Sequence, residues 1–276
     1  MSAAQCRFFA KLAQAVCRLN IDPAKTDFLR LRLSRRIRAL GLEEFDSYVD
    51  LLRSDPEGPE IRKFIEALTT HTTAFFRERH QYDWLDREGL AILGETGAGF
   101  DRPLTVWSAA CSSGVELWSA AMLLAEAASR PGGLRRFELV GTDISHAILR
   151  KATAATYTEE ETAGLADGFR VRYLMRSRAV FEDSRGHLYR IVPELRAKAR
   201  FSACNLTDAT SLPGLSADVV FLRNVLIYFE AAVQAQVIES VAERLRPGGI
   251  LFTGHAEAVP VHPRLRSIGP SIYRKE

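Results

Sequence analysis

The chain has 276 residues, 47% of them apolar and 26% charged, with a formal net charge of +3. That is ordinary globular composition, and it excludes the disordered, collagenous and disulfide-dense classes. At roughly 100–200 residues per domain, it makes one large domain or two unequal ones, with ample chain to bury a core. No stretch approaches the ~18 uninterrupted apolar residues of a membrane span. The opening MSAAQCRFFAKLAQ lacks the basic, apolar and small-residue order of a secretion signal. Cys6, Cys17, Cys111 and Cys204 are far apart with no CxxC, so neither a metal cluster nor a disulfide scaffold is expected. A reduced, cytoplasmic setting is the expectation.

The net charge hides a local distribution. Residues 1–80 hold 14 Lys/Arg against 11 Asp/Glu, while the remainder holds 23 of each. Residues 25–42 carry six basic side chains and one acidic, and residues 170–200 carry nine and three. Both concentrations point to an anionic partner.

Residues 5–80 read as helices throughout. Leu29, Leu33, Ile37 and Leu40 recur at helical spacing, and Gly41 stops that helix. Arg32, Arg35 and Arg36 fall within about a 100° arc beside this apolar stripe. A further helix through Phe45, Tyr48, Leu51 and Leu52 ends at the turn-rich SDPEGP, and IRKFIEALTT is another amphipathic stretch. After GETGAGFDRP (94–103) the pattern changes. LTVWSA, FELVGTD, FRVRYL, HLYRIV, ARFSAC, ADVVFL and GILFTG are strand-like runs, with VELWSAAMLLAEAAS and AAVQAQVIESVAERL as helices among them. Strands alternating with helices predict an α/β fold with a mostly parallel sheet. Within 168–203 three strand-like runs follow one another, which predicts a small antiparallel β insert.

The first strand ends in WSAACSSGVELWS, where Ala109, Ala110, Ser112, Ser113 and Gly114 allow a ligand to approach the backbone. One glycine stands where a dinucleotide site wants three, which disfavours NAD and FAD. Asp143, closing the second strand, stands where an acid accepts both ribose hydroxyls of a nucleoside cofactor; capping the next helix is its other open role. Glu116 begins a helix, where the dipole favours an acid in any protein; the amino group of a cofactor is its alternative partner. DVVFLRNVLIYF runs an apolar strand directly into Arg223, Asn224 and Tyr228, placing polar groups at the carboxyl edge of the sheet. His255, in GHAE, reads as structural rather than as a ligand.

The ordered segments THTTAFFRE (70–78), VWSAACSSGVELWSAAM (106–122), GTDIS (141–145), NL (205–206), FLRNVLIYF (221–229) and LRPGGILFTGHAE (245–257) resemble the CheR-type chemotaxis receptor methyltransferases, over nearly the whole chain. The resemblance implies a helical substrate-docking domain over 1–68. A Rossmann-like methyltransferase domain over 69–276 would follow, carrying the antiparallel insert at 168–203. It implies S-adenosyl-L-methionine as cofactor, with glutamate side chains of a chemoreceptor cytoplasmic domain as substrate. His71, Thr73 and Arg77 would border the cofactor, Arg77 near the methyl-donor end. Ala109, Glu116 and Asp143 would hold its amino-acid and ribose parts, and Asn205 and Leu206 would flank the adenine. Arg223 and Asn224 would complete the cofactor site, while Arg77, Arg223 and Tyr228 would face the transfer centre. Arg32, Arg35 and Arg36 would dock the acidic receptor. A monomer without membrane insertion is expected, and nucleic acid is not, because no Asn-Pro-Pro-Tyr base-pocket motif is present. The chain departs from the family in having His71 for Asn, Val115-Glu116 for two acids, and Leu117-Trp118 for Pro-Tyr. These departures motivate a second reading, a regulatory or binding module of the same fold. The insert loop in SRAVFEDSRGH has one glycine where the family grips a receptor tether with a Gly-rich loop.

Overall fold

The computed structural model describes residues 1–181 and 186–276, so part of that insert loop lies outside the described residues. The chain opens with four helices, α1 (Ala3–Cys17), α2 (Thr26–Ala39), α3 (Phe45–Ser54) and α4 (Pro59–Leu68). Ser2 and Gln5 start α1 with a reciprocal capping box. The apolar stripes of the four helices converge on one core, in which Phe9, Leu33, Tyr48 and Phe64 are fully buried. A half-buried polar network crosses it. Glu60 of α4 accepts hydrogen bonds from Arg36 Nε at 2.7 Å and from the Tyr48 hydroxyl at 2.9 Å. Arg36, expected on a docking face with Arg32 and Arg35, is therefore tied to Glu60, because a partly buried carboxylate needs a counter-charge. Arg35 is exposed, whereas Arg32 donates to Thr70 Oγ1 at 3.1 Å and lies over the Phe28 ring.

Helix does not continue to residue 80. Residues 69–74 lie in neither helix nor strand, Thr69 being extended, and 75–78 form a turn with Phe76 and Glu78 at positive φ. The run of β-branched threonines around His71 favours extended backbone over helix. Helix resumes with α5 (Arg79–Trp84), a widened turn at Leu85–Gly89, and α6 (Leu90–Gly94).

The α/β part follows as β1 (Leu104–Ser108), α7 (Val115–Ser129), β2 (Phe137–Asp143), α8 (His146–Ala154), β3 (Thr156–Thr158), α9 (Glu159–Thr162), α10 (Asp167–Tyr173), β4 (Leu174–Phe181), β5 (Gly186–Ile191), α11 (Pro193–Arg196), β6 (Ala199–Ala203), β7 (Ala217–Leu222), α12 (Ala231–Arg244), β8 (Leu245–Thr253), β9 (Leu265–Gly269) and β10 (Ile272–Lys275). The main sheet has the order β6-β2-β1-β7-β8-β10-β9. Strands β6 through β8 run parallel, and β10 is antiparallel to both β8 and β9. β7 is buried at every position, as a strand covered on both faces must be. Strand order reverses between β1 and β7, which opens a crevice at the carboxyl ends of those strands.

A three-stranded antiparallel sheet, β3-β5-β4, forms the insert, but its membership differs from the expectation. FRVRYL forms most of α10 rather than a strand. Phe169 and Tyr173, four residues apart, turn the same way and meet at 6.0 Å, while Val171 between them is left exposed. ARFSAC is β6 of the main sheet, parallel to β2, where Phe201 packs on Trp118.

Replacing Glu60 with Gln removes the charge that Arg36 and Tyr48 share, and should lower the unfolding free energy by roughly 1.5–3 kcal/mol. Burial raises the Glu60 carboxyl, but the hydrogen bonds from Arg36 and Tyr48 outweigh it, so the net direction is down. A depressed carboxyl stabilises the fold above its unfolded value and ceases to do so as pH falls through the folded one. Denaturant titrations should show wild type losing this advantage over Glu60→Gln on acidification.

Candidate functional site

At the end of β1 the chain turns through Ala109–Gly114, with Ser112 at φ +51 and Gly114 at φ +84. A Cβ on Gly114 would sit 3.0 Å from Trp118 Nε1 and from Ala152 Cβ, so only glycine fits between α7 and α8. Asp143 closes β2 and braces this turn. Its Oδ2 accepts the Ser112 N–H at 2.9 Å and its Oδ1 the Ser145 N–H at 3.0 Å. Ser145, not Asp143, caps α8, its hydroxyl accepting the Ile148 N–H. The open choice at Asp143 thus resolves against capping. Burial pushes the Asp143 carboxyl above its ordinary range.

A cleft lies over these strand ends. His71, Thr73, Arg77, Ala109, Glu116, Asp143, Asn205, Leu206, Arg223, Asn224 and Tyr228 all line it. Every cofactor and catalytic position expected from the sequence is therefore in one cavity. Val115 and Leu117 are not: both are buried in the core under α7.

At one end of the cavity Arg223 is almost wholly buried, its side chain 1% exposed. Nη1 lies 3.3 Å from Glu116 and Nη2 3.4 Å from Glu78, and the guanidinium donates to the Arg77 carbonyl and to Tyr82 Oη. It lies over the rings of Tyr82 and Phe221. Arg223 was expected to face the transfer centre; its Nη1 and Nη2 are taken up by these protein partners, while its Nε is buried with no hydrogen-bond partner. Glu116 Oε1 accepts the Ser108 hydroxyl at 2.6 Å, and burial raises the Glu116 carboxyl against the pull of Arg223. One guanidinium thus faces two carboxylates, and Glu78 Oε2 is buried with no hydrogen-bond partner. Arg77, by contrast, is exposed.

Asn205 lines the other end, but its amide is engaged. Nδ2 donates to the Val16 carbonyl at 3.1 Å and Oδ1 accepts from Thr207. With Asn20 donating its N–H to the Tyr228 carbonyl at 2.8 Å, and with Cys17 and Leu19 in the lining, the end of α1 forms a wall of the cavity. His71 bonds Thr69 Oγ1 through a ring nitrogen at 2.9 Å, and burial lowers its affinity for a proton.

Three contributors escaped sequence reasoning: Glu78, Ser108 and Glu257. Glu257 is buried, and its carboxylate accepts the N–H groups of Asn224 at 2.6 Å, Gly254 at 2.7 Å and Ile227 at 3.3 Å. It ties the turn after β8 to the loop after β7 and holds Asn224 at φ +57. Gly254 must be glycine, since a Cβ would lie 2.5 Å from Glu257 Oε2 and 2.9 Å from the Asn224 nitrogen. The only sequence signal was the position of this acid in GHAE, just beyond a strand.

The donor set suits a cationic ligand carrying a nucleoside. Two carboxylates exceed the one buried cation, Asp143 keeps lone pairs beyond those given to Ser112 and Ser145, and Ile144, Leu206 and Phe229 supply apolar wall. Residues 4–69 match the family model for the all-alpha domain of CheR methyltransferases, and residues 71–271 match that for their SAM binding domain. The chain belongs to the CheR methyltransferase family. It is 35% identical over 258 residues to the chemotaxis protein methyltransferase of Klebsiella aerogenes, covering 93% of this chain and 84% of that one. The Escherichia coli enzyme of that name gives 35% over 258 residues, with 93% and 85% covered. Chemotaxis protein methyltransferase 1 of Pseudomonas aeruginosa is 31% identical, with 99% and 98% covered. The protein is thus an S-adenosyl-L-methionine-dependent methyltransferase of CheR type. No helix among the described residues is long and apolar enough to cross a membrane.

Glu257→Gln turns a donor toward backbone N–H groups that need an acceptor. Calorimetry should show S-adenosylhomocysteine binding weakened about tenfold, from a loop cost of roughly 1.5 kcal/mol. Unchanged affinity would show that the loop holds its shape without this carboxylate.

Proposed function

We propose that this CheR-type enzyme transfers the methyl group of S-adenosyl-L-methionine to glutamate side chains on the cytoplasmic helices of methyl-accepting chemoreceptors, forming methyl esters. The observation that carries the reading is an exposed guanidinium, Arg77, at a cavity whose closed end is the buried Glu78–Arg223–Glu116 group. The names of the relatives, chemotaxis protein methyltransferases, support it.

When bound, the cofactor supplies an electrophilic methyl group on a sulfonium centre. The chain's own residues do the rest. Asp143 accepts the ribose hydroxyls, and Glu116, fixed by Ser108 and Arg223, receives the ammonium of the amino-acid part. Leu206 and Phe229 line the space for the base, and the end of α1 contributes Cys17 to its wall. Arg77 pairs with the incoming carboxylate and Tyr228 walls its approach. A glutamate is already ionised near neutral pH, so no proton need be removed. The catalytic requirement is alignment, with the reacting oxygen and carbon held about 3–3.5 Å apart, and exclusion of the water that dulls a carboxylate nucleophile. Arg35, exposed on α2, and the half-buried Arg32 near it attract the acidic helices of the receptor.

The regulatory-module reading loses much of its motive. Of the three departures that suggested it, Val115 and Leu117 pack in the core. His71 alone reaches the cavity, and as an uncharged imidazole it offers hydrogen bonds as an amide would.

Arg77→Ala should lower labelled-methyl transfer to a receptor cytoplasmic fragment by about a hundredfold, with S-adenosylhomocysteine affinity changed only a few-fold. Wild-type turnover in that variant would refute its role. In Arg32→Ala/Arg35→Ala, transfer should be slower at low ionic strength and far less sensitive to added salt than wild type.

A further inference from the structure

The imidazoles of His80 and His255 take no part in the machinery described above. Their rings meet edge to face with centroids 5.9 Å apart, and both side chains are exposed. Neither lines the cavity, but His255 adjoins it through Glu78 and Asn224. His255 donates its backbone N–H to Glu78 Oε1 at 3.3 Å, and the same oxygen lies 3.5 Å from the Asn224 amide in the cavity lining. Ile227 is 54% exposed, between buried Leu226 and cavity-lining Tyr228. A lone exposed isoleucine is common and needs no explanation. The backbone of this one is tethered, its N–H donating to the buried Glu257 carboxylate that also holds Asn224 and Gly254.

We infer that His80, His255 and Ile227 form a recognition rim that grips the turn of the acceptor helix flanking the glutamate to be methylated. The inference rests on the proposed glutamate methylation and adds the surface that selects the acceptor. A glutamate extended from a helix enters the cavity only if its own backbone lies across the mouth. Helical residues three or four positions away then stand on the same face, about 5–6 Å along the axis, and meet whatever borders that mouth. The imidazoles offer N–H donors to a flanking carboxylate or amide, and Ile227 offers a surface to an aliphatic side chain. With Arg77 exposed at the same cavity, the rim suits an acidic helix carrying an apolar residue one turn from its target, and opposes a basic one.

The test uses the full chain saturated with S-adenosylhomocysteine and a stapled helical peptide. The peptide has a central glutamate, with glutamate one turn before it and leucine one turn after. Anisotropy should show peptide affinity falling about tenfold in His80→Ala/His255→Ala and again in Ile227→Ala. Calorimetric affinity for S-adenosylhomocysteine and the thermal midpoint should stay at wild-type values. Changing the peptide leucine to alanine should cost affinity in wild type and little in Ile227→Ala, since the two changes remove one contact. No peptide binding to wild type, or unchanged affinity in both variants, overturns the rim. A peptide that binds through the rim yet accepts no labelled methyl group overturns glutamate methylation and leaves the rim standing.

Discussion

The site depends on a guanidinium buried where water cannot solvate it. Arg223 is held between Glu78 and Glu116, with the Arg77 carbonyl and the Tyr82 hydroxyl taking further donors. Removing a charge from water is tolerable only with partners in place, so the position of Arg223 dictates the positions of everything around it. Those partners come from the turn after the threonine run, from the start of α7, and from α5. One side chain thereby draws the 77–82 stretch and the start of α7 onto the end of β7.

That constraint also sets the electrostatics of the cavity. Two carboxylates share one cation at the closed end, which leaves that end suited to positive charge. Arg77 remains outside this group and open to solvent, so the cavity is polarised from mouth to floor. The loop bearing Arg223 and Asn224 is kept in shape by Glu257, whose carboxylate accepts three backbone N–H groups. The buried pair and the buried acceptor are thus two halves of one support, joined through Glu78, which lies against both Arg223 and Asn224.

The helical segment is not an appendage to this site. Asn205 and Tyr228 are hydrogen-bonded to Val16 and Asn20, and Cys17 and Leu19 face the cavity. A ligand there touches both parts of the chain, so binding it and docking the two parts are linked events. The same helices carry Arg35 on their free surface, while Arg36 is held by Glu60. A basic stripe legible on a helical wheel therefore divides into a solvent-facing part and a structural one.

Periodicity alone placed α7, β2 and α12 almost to the residue, since each has a long apolar pattern matched to one period and a clear terminus. It misread FRVRYL, a run short enough for alternation and i, i+4 spacing to coexist, until packing of Phe169 and Tyr173 decided for helix. It also carried helix through the threonine run, where local backbone preference prevails over the surrounding pattern. Around the cavity, Asp143 and the Arg223-Asn224 pair stood out as polar groups at strand ends, whereas His71, Thr73, Arg77, Asn205 and Leu206 were legible only through the resemblance to the family. What the order of residues determined, then, is which groups stand at the ends of β1, β2 and β7. Only the tertiary structure decided that Arg223 is locked inward and Arg77 left open, that Arg36 serves the core, and that Glu78 and Glu257 meet Arg223 and the loop after β7. Each of those outcomes is a choice of partner, and partners remote in sequence become neighbours only when the sheet and helices have packed.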